Sequence, residues 1–261
     1  MKPLIGITSY NRANLLAQTI EALEITTCGE EYELVIVDNA STDHSANWLN
    51  SWYDRLSPLR QGKTVLYQKT NTGCPRALNL ILAYRKMGQP FVKLDNDVEI
   101  ETPGWIGVVA DFARRHIDAA MIGAWYDGVL GPGDCRKKGE IDDAYVVDLL
   151  PGHFVWHGGS FMDRAGYFDV LSAQHLYGFE DWIMCHKAHL LGGTVYVLKG
   201  VQMRNLQTHK AYAPIGDQDK DSHVEAMRPA FLQRLAALRE GRSDPYTPPS
   251  GIPMIRGKEM K

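Results

Sequence analysis

Five short apolar runs in the first 125 residues constrain this chain more than any other feature of its sequence. The runs are LIGIT (4–8), ELVIVD (33–38), TVLYQ (64–68), FVKLD (91–95) and AAMIGAW (119–125). Amphipathic stretches at 14–23 and 75–84 lie between them and predict helices. Strands that are apolar on both faces and alternate with helices form a mainly parallel sheet that is covered on both sides. The sequence therefore predicts an α/β fold.

Polar residues follow each of the first four runs. These residues are Thr8-Ser9-Tyr10-Asn11-Arg12, Asp38-Asn39-Ala40-Ser41-Thr42-Asp43, Asn71-Thr72-Gly73 and Asp95-Asn96-Asp97. In open α/β sheets, ligands bind beyond the carboxyl ends of the strands, where loops and helix N-termini meet. We therefore expect the four polar segments to form one ligand site.

Two carboxylates end the fourth run, at Asp95 and Asp97. Their hard oxygen atoms suit Mg²⁺ or Mn²⁺, shared with substrate phosphates and water. A solvated turn in which Asp95 caps a backbone N–H is the alternative, because Asp and Asn also favour turns. The spacing alone leaves both interpretations open.

Composition excludes several classes of protein. With 44% hydrophobic and 23% charged residues, the 261-residue chain is expected to be globular. A net charge of -3 gives no basic surface for nucleic acid. No apolar run approaches the roughly 20 residues that span a bilayer, and the start of the chain has no signal-peptide pattern, so a cytoplasmic enzyme is expected. The four cysteines are isolated, which favours reduced thiols over zinc binding.

The second half of the chain is less regular. Residues 128–139 have the composition of a loop, whereas 144–150 and 153–162 are typical of strands. A helix is predicted at 180–191, a strand at 194–198, and a late helix from near Pro229 to Gly241. The Pro- and Gly-rich remainder is expected to be loose or to lie on the surface.

Six segments between residues 3 and 210 resemble, in order, the motifs of family 2 glycosyltransferases. They are PLIGITSYNR (3–12), VIVDNASTD (35–43), NTGCPRALN (71–79), KLDNDVEI (93–100), HGGSFMDRAGYFD (157–169) and GFEDWIMCHKAHLLGG (178–193). Each motif alone is weak, but the ordered set is specific. The resemblance implies a GT-A fold, with a Rossmann-like, mainly parallel sheet, helices on both faces and a smaller acceptor-side region.

The resemblance also divides the chain. Residues 1–125 would form the nucleotide-sugar-binding half, residues 126–241 the acceptor-binding and catalytic half of the same domain, and residues 242–261 a C-terminal tail. The donor site that it implies consists of Thr8, Tyr10, Arg12, Asp38, Asn39, Asn71, Gly73, Arg76, Asp95, Asn96 and Asp97.

Individual roles follow from the same resemblance. Asp38 would hydrogen-bond the nucleobase, and the turn at 8–12 would pack against base and ribose. Asp97 would bind Mn²⁺ or Mg²⁺ directly, and Asp95 would reach the ribose or a water on the metal. His209 is a further candidate metal ligand, although the sequence around it matches poorly.

The pair Glu180-Asp181 matches the family's Glu-Asp motif, in which the Asp takes the proton of the acceptor hydroxyl. Acidic residues also favour the first turn of any helix, which is the simpler interpretation of the pair. A base opposite the leaving group implies inversion at the anomeric carbon. Trp156, Gly158 and Gly159 are assigned to the region where acceptor and donor sugar meet, although Gly pairs commonly form turns and Trp commonly packs in a core.

The expected activity is metal-dependent, inverting transfer, of the hexosyltransferase class, from a nucleoside-diphosphate sugar to an acceptor hydroxyl, with UDP as the first choice of nucleotide. A nucleotidyltransferase acting on sugar phosphates is the nearest alternative, but the loop SYNR lacks the glycines that hold a triphosphate. The second alternative is a catalytically silent module that binds a nucleotide-sugar without turning it over. A phosphatase of the haloacid-dehalogenase type is disfavoured by Glu99, and no Rossmann or P-loop glycine motif is present. The acceptor class stays open, with nucleic acid disfavoured but not excluded.

Overall fold

The computed structural model of the chain describes residues 2–56, 61–130, 135–206 and 217–249, and in 217–221 only the backbone. The strands in these ranges are β1 (Leu4–Ser9), β2 (Glu33–Asp38), β3 (Lys63–Tyr67), β4 (Phe91–Asp95), β5 (Val98–Ile100), β6 (Ala119–Trp125), β7 (Lys137–Ile141), β8 (Ala144–Val147), β9 (Phe154–His157) and β10 (Thr194–Asn205). The helices are α1 (Ala13–Thr26), α2 (Ser45–Arg55), α3 (Cys74–Leu82), α4 (Trp105–Arg115), α5 (Gly159–Ala165), α6 (Glu180–Leu190) and α7 (Asp217–Arg239).

One sheet joins the strands in the order β3-β2-β1-β4-β9-β6-β10-β8-β7, and β5 pairs with β10. β3, β2, β1 and β4 are parallel neighbours, and so are β6 and β10. β9 runs antiparallel between β4 and β6, and β8 runs antiparallel between β10 and β7. The carboxyl ends of β1, β2, β4 and β6 therefore share one edge of the sheet with the amino end of β9.

Side chains alternate between the two faces of the sheet, as the two-residue period of a strand requires. In β2, Leu34 and Ile36 pack into one core, and Val35 and Val37 into the other. The first core lies against α1, α2 and α4, and the second against α3, α5 and α6. Because both faces are covered, these strands are apolar throughout. The predicted α/β fold with a mainly parallel sheet is confirmed.

The prediction for the late helix was wrong at its start. α7 begins at Asp217, not near Pro229, and Pro229 lies inside it. A proline removes one helical hydrogen bond and normally ends or kinks a helix. Here Val224 and Met227, which precede Pro229, pack against the apolar cluster around Phe179 and Phe231, so that tertiary contact holds the first half of the helix in place.

Two strands also differ from expectation. β7 starts at Lys137, inside the stretch predicted as a loop, because its polar sequence KKGEI pairs with β8 at an edge of the sheet. Polar residues are typical of edge strands. β10 continues to Asn205, past the predicted end at Leu198, and its last residues pair with β5 directly after the Asp-Asn-Asp segment.

The C-terminal segment crosses the surface near α5. The backbone N–H of Thr247 donates to the carbonyl of Ala165, and that of Tyr167 donates to the carbonyl of Thr247. Among the helices of the described ranges, none is both long and apolar enough to cross a membrane.

Candidate active site

The four polar segments meet at one edge of the sheet, around a cleft of about 220 Å³. Eight of the predicted donor-site residues line this cleft, namely Thr8, Tyr10, Arg12, Asn39, Asn71, Asp95, Asn96 and Asp97. Cys74, His153, Leu176 and Tyr177 complete the lining. The carboxyl ends of β1, β2 and β4 thus form a pocket, as their parallel pairing requires.

The loops around the cleft are tied together by their own polar side chains. The backbone N–H of Asn11 donates to Oγ of Ser41 over 2.8 Å, and Oδ1 of Asn11 accepts from the N–H of Thr42 over 2.8 Å. Asn39 joins the loop after β2 to the loop after β3. Its side-chain Nδ2 donates to Oδ1 of Asn71, and its side-chain Oδ1 accepts from the backbone N–H of Thr72. The motif residues therefore preorganise the cleft.

Several residues of these loops adopt the left-handed backbone conformation, which non-glycine residues rarely do. Asn11 has a φ of 59° and Arg12 a φ of 68°, directly before α1. Ala40 and Phe179, in the loops after β2 and before α6, both have a φ of 67°. Such strain is typical of positions that the surrounding structure holds for function.

Asp38 lies at the carboxyl end of β2, opposite Ser9 in the register of β1. It is buried, and its Oδ1 accepts a short hydrogen bond from the hydroxyl of Ser41. The neighbouring Asn39 lines the cleft, so Asp38 lies just behind the wall. Recognition of a nucleobase by Asp38 stays a prediction.

Gly73 and Arg76 bind the loop at 172–176. Gly73 has a φ of 86°, and a Cβ there would lie 2.5 Å from the carbonyl oxygen of His175. The close backbone approach is therefore to this loop of the protein. Arg76 donates to the backbone carbonyls of Thr72, Ser172, Ala173 and His175. Its guanidinium fixes the loop that carries Leu176 and Tyr177, and a nucleotide contact for Arg76 stays a prediction.

Asp97 is only 4% exposed and is not at the solvent-facing position that its strand end suggests. Its Oδ2 lies 3.2 Å from Nη1 of Arg12, so that the first and fourth loops are joined by an ion pair on the cleft wall. Asn96, between the two carboxylates, donates to Oγ of Ser9 over 3.1 Å. The segment is thus held to β1 on both sides.

Lys93 lies at the centre of an ionic cluster beneath the cleft. Its Nζ is 2.8 Å from Oδ2 of Asp181, 2.8 Å from the carbonyl oxygen of Gly152 and 3.4 Å from Oδ1 of Asp95. Burial alone would lower the pKa of Lys93, but the carboxylates of Asp181 and Asp95 raise that pKa well above its ordinary value. The ammonium therefore stays charged.

The same cluster perturbs Asp95 and His153. Nδ1 of His153 lies 3.6 Å from Oδ2 of Asp95. Burial would raise the pKa of Asp95, but Lys93 and His153 lower it below the ordinary value. Burial would lower the pKa of His153, and the contact with Asp95 outweighs this effect and raises it. Asp95 is held as a carboxylate by the Lys93 ammonium and by its contact with His153.

A second cavity, of about 240 Å³, adjoins the cleft. Glu180, Asp181 and Trp182 line it, and it shares Cys74, Asp95, His153 and Tyr177 with the cleft. Gly178 and Phe179, both left-handed, place Glu180 and Asp181 in the first turn of α6. The two predicted halves of the site, donor and base, therefore lie side by side.

Both acidic residues of α6 carry a buried oxygen without a hydrogen-bond partner among the described residues, Oε2 of Glu180 and Oδ1 of Asp181. Burial raises the pKa of Glu180 to about 7, and the charge of Asp181 adds to this effect. Burial also raises the pKa of Asp181, against the opposing influence of Lys93. Raised carboxyl pKa values in a cleft are typical of groups that exchange protons.

The structure does not bring Trp156, Gly158 and Gly159, which were assigned to the sugar-binding region, to the lining of either cavity. β9 is antiparallel to β4, so His157 pairs with Phe91 at the start of β4, and the glycines lie beyond it, about 13 Å from the cleft edge. A Cβ on Gly159 would meet the backbone of Gly88 at 2.0 Å, which explains the glycine. Trp156 is 3% exposed in the core, so no sugar ring reaches its face.

The sequence interpretation missed Lys93 and Gly152 and did not include His153 among the site residues. A Cβ on Gly152 would lie 1.9 Å from Oδ2 of Asp181, so this position requires glycine. Lys93 carried a usable signal, because a lysine inside an apolar strand is almost never buried without a partner. His153 and Gly152 carried none, since only the direction of β9 brings them to the site.

A divalent metal was expected at this site. Asp95 and Asp97 offer hard oxygen atoms on the cleft wall, and Mg²⁺ or Mn²⁺ is commonly bound by one or two carboxylates together with substrate phosphates. Three-residue groups of His, Cys, Asp or Glu that would enclose a metal do not occur among the described residues. His209 lies outside those residues. The donor set fits an ion that is shared with a ligand.

A larger cavity, of about 420 Å³, opens between the ends of β6 and β10. Glu101, Trp125, Tyr126 and Arg204 are among its lining residues. It contains none of the predicted site residues, so the chemistry is assigned to the two smaller cavities.

Sequence comparison assigns the chain to a known family. A sequence model described as glycosyl transferase family 2 matches residues 4–169, well over half of the chain. A comparison with curated protein sequences gave no match.

Solved structures with the same fold include three complexes with a nucleotide or a sugar nucleotide. TarS residues 1–349 of S. aureus in complex with UDP has a TM-score of 0.59 and 22% identity, over 76% of this chain and 58% of that one. The mannosyltransferase PcManGT from Pyrobaculum calidifontis, in complex with GDP-Man and Mn²⁺, has a TM-score of 0.61 and 17% identity, over 82% and 60%. GalNAc-T7 with UDP, GalNAc and Mn²⁺ has a TM-score of 0.64 and 13% identity, over 81% and 45%.

These similarities establish the GT-A fold that the sequence predicted. The chain spans less than two thirds of the length of each of the three proteins.

Proposed function

This chain belongs to glycosyl transferase family 2, and on that premise we propose that it transfers a sugar from a nucleoside-diphosphate sugar to an acceptor hydroxyl, with inversion at the anomeric carbon. The proposal rests on the observation that two cavities adjoin. One is lined by the predicted nucleotide-binding residues and the Asp-Asn-Asp segment, and the other by Glu180 and Asp181. A donor that extends from the first cavity would present its sugar to the second.

The nucleotide would occupy the cleft beside Tyr10. This side chain is exposed on the cleft wall and offers an aromatic face to a base. Asp38 lies behind Asn39, where its carboxylate would accept the N–H of uracil, thymine or guanine. UDP is therefore the first nucleotide to test, followed by dTDP and GDP.

The diphosphate would lie against Arg12 and the segment Asp95-Asn96-Asp97 on the cleft wall. Mn²⁺ or Mg²⁺ bound by the two carboxylates would offset the negative charge that develops on the leaving diphosphate. Arg12 brings a second positive charge to the same wall. Its guanidinium has the geometry to hold phosphate oxygens.

Asp181 would act as the base. A carboxylate oxygen takes the proton of the acceptor hydroxyl while the acceptor oxygen bonds to the anomeric carbon. The bond from that carbon to the diphosphate oxygen breaks, and its electron pair leaves with the diphosphate. One displacement inverts the carbon, so no nucleophilic side chain is required. The position of Asp181 on the wall of the second cavity and its raised pKa support this role.

Donor hydrolysis and nucleotide affinity test the proposal together. UDP, dTDP and GDP sugars are titrated calorimetrically with and without Mn²⁺, and release of free sugar is followed. We expect metal-dependent binding of one nucleotide and slow hydrolysis, because water replaces the missing acceptor. Binding without hydrolysis would instead indicate a silent binding module. Pyrophosphate release from a nucleoside triphosphate and a sugar phosphate would indicate a nucleotidyltransferase.

A further inference from the structure

We propose that Lys93 is a positioning residue for the transfer step: its ammonium holds Oδ2 of Asp181, and so fixes the orientation of the carboxylate that takes the acceptor's proton at the second cavity. The inference rests on the proposed function, because it concerns the same base.

Lys93 is held by three different parts of the fold. It lies on β4 and donates to Asp181 on α6 and to the carbonyl of Gly152 before β9, and Asp95 at the end of β4 lies 3.4 Å away. An ammonium has three donors and no acceptor; two of its hydrogens go to Asp181 and Gly152, and Asp95 lies within ion-pair distance. The donor-side carboxylate Asp95 and the base Asp181 therefore share one cation.

Stability alone does not account for a lysine at this position. Lys93 is 2% exposed, lies on the face of β4 that also carries Phe91 of the apolar core, and lines the second cavity with its polar end. Replacement of a buried ion pair by apolar side chains of similar volume is often neutral or stabilising. Packing alone therefore gives no reason for a charge at this position, and the contact with Asp181 supplies one.

The task follows from the two oxygens of Asp181. Oδ2 accepts from Lys93 at the wall of the second cavity, whereas Oδ1 is buried and has no partner within the described residues, so Lys93 is the one side chain shown to hold the carboxylate. The last torsion of an Asp side chain is soft, so without Lys93 the carboxylate would be free to turn. Gly152 leaves no space for a Cβ beside this contact, and thus lets backbone, ammonium and carboxylate pack together.

Lys187, on the helix α6 that also carries Asp181, provides a matched control. Lys187 is also fully buried, and its Nζ lies 2.6 Å from Oδ2 of Asp169. It donates to Thr247 and Tyr167, and so fastens the C-terminal segment at a distance from both cavities. Lys187→Met removes a buried ion pair without touching the site.

The test compares Lys93→Met, Lys93→Gln and Lys187→Met with the parent protein. Calorimetry gives the affinity for UDP with Mn²⁺, or for whichever nucleotide the parent prefers, and sugar release gives the rate of donor hydrolysis. We expect both Lys93 variants to lose at least about 100-fold in rate, the usual scale of general-base catalysis, with nucleotide affinity within about threefold of the parent. Lys187→Met should lower the melting temperature and keep the rate.

Chemical rescue separates positioning from a general loss of structure. In Lys93→Ala, added ethylammonium chloride should restore the rate at least about tenfold, because a small ammonium ion can enter the space left by the side chain. Sodium chloride at the same ionic strength should not. Gly152→Ala provides a second route, since its Cβ displaces the Lys93–Asp181 contact without changing charge, and should lower the rate in the same way.

Two results would overturn the inference while leaving the proposed function intact. One is a hydrolysis rate near that of the parent in Lys93→Met, or in Gly152→Ala if the Lys93 variants do not fold. The other is a parallel loss of rate and nucleotide affinity that ethylammonium does not reverse, which means that Lys93 only supports the fold. A parent protein that neither binds nor hydrolyses any nucleotide-sugar would overturn both proposals.

Discussion

Nη1 of Arg12 lies 3.2 Å from Oδ2 of Asp97, so the carboxylate expected to bind a metal already faces a cation of the chain. Arg12 reaches this position from a left-handed backbone conformation directly before α1. The contact suggests that the guanidinium balances Asp97 until a diphosphate and a metal arrive together.

Arg12→Gln should therefore strengthen the binding of Mn²⁺ alone and weaken the binding of UDP. The ion pair is partly exposed, so we expect each change to be about threefold to tenfold, equivalent to roughly 1 kcal/mol. Calorimetric titration of Mn²⁺ and of UDP, separately and together, measures both. Unchanged affinity for Mn²⁺ alone would show that the pair does not compete with the metal.

Asp97→Ala should abolish the metal-dependent part of nucleotide-sugar binding, because the proposed direct ligand is removed. Binding without metal should remain, since Tyr10 and Asp38 are untouched. The variant should fold, because the carbonyl of Asp97, which accepts from the N–H of Leu206, is retained. Titration of UDP with and without Mn²⁺ tests this prediction. If Mn²⁺ increases the affinity for UDP as much in the variant as in the parent, Asp97 is not a metal ligand.

Asp38→Ala should weaken every nucleotide of the preferred base and leave the Mn²⁺ dependence intact. Loss of a hydrogen-bond partner for a buried base edge costs roughly 1 to 3 kcal/mol. Ser41→Ala is the matched control, because it removes the hydroxyl that Asp38 accepts from and keeps the carboxylate. Equal affinity in Asp38→Ala and the parent would leave Asp38 with a structural role only.

Asp181→Asn should bind the donor normally and lose its turnover. The amide keeps the shape of the side chain but cannot accept the acceptor's proton, and general-base catalysis is typically worth about 100-fold to 10,000-fold. If Asp181 only stabilises the start of α6, Asn would replace it well and activity would survive. Affinity and hydrolysis rate measured on the same preparation distinguish the two, and a normal rate would direct attention to Glu180.

Glu180 predicts a pH dependence of stability. Its pKa is raised from 4.5 to about 7 in the folded chain, so between these values the folded state binds the proton that the unfolded state has released. Stability from this group is therefore present at low pH and lost as pH rises toward 7. Glu180→Gln should remove the loss and stabilise the protein above pH 7 by up to about 3 kcal/mol, with little effect near pH 4. Thermal melts of the parent and of Glu180→Gln, near pH 4 and above pH 7, measure this effect. A difference in stability that is the same at both pH values would contradict the raised pKa.

The donor side of the site was predictable from local sequence. Each segment follows an apolar strand directly, so the chain position of Thr8, Asn39 or Asp97 fixes its place at the carboxyl end of that strand. Parallel neighbours then bring those ends to one edge. The helix that carries Asp181 was also visible, because glycine precedes it and acidic residues begin it.

The acceptor side was not predictable in the same way. β9 is as apolar as a parallel strand, and its sequence FVWH does not predict whether the strand runs parallel or antiparallel to its neighbours. Its antiparallel insertion between β4 and β6 brings Gly152 and His153 to the second cavity and carries Gly158 and Gly159 to the opposite edge. Pro229 shows the same effect in a helix, because the packing of Val224 and Met227 outweighs the tendency of a proline to end a helix.

The sequence by itself determined the α/β class, the donor-side motifs and the acidic start of α6, because each depends on residues adjacent in the chain. Only the tertiary structure decided which groups meet across it, such as Lys93 with Asp181, 88 positions apart. The reason is physical. Local patterns fix which face of an element is buried, whereas the neighbour and direction of a strand are chosen by the packing of the whole core, and buried charges must find their partners there.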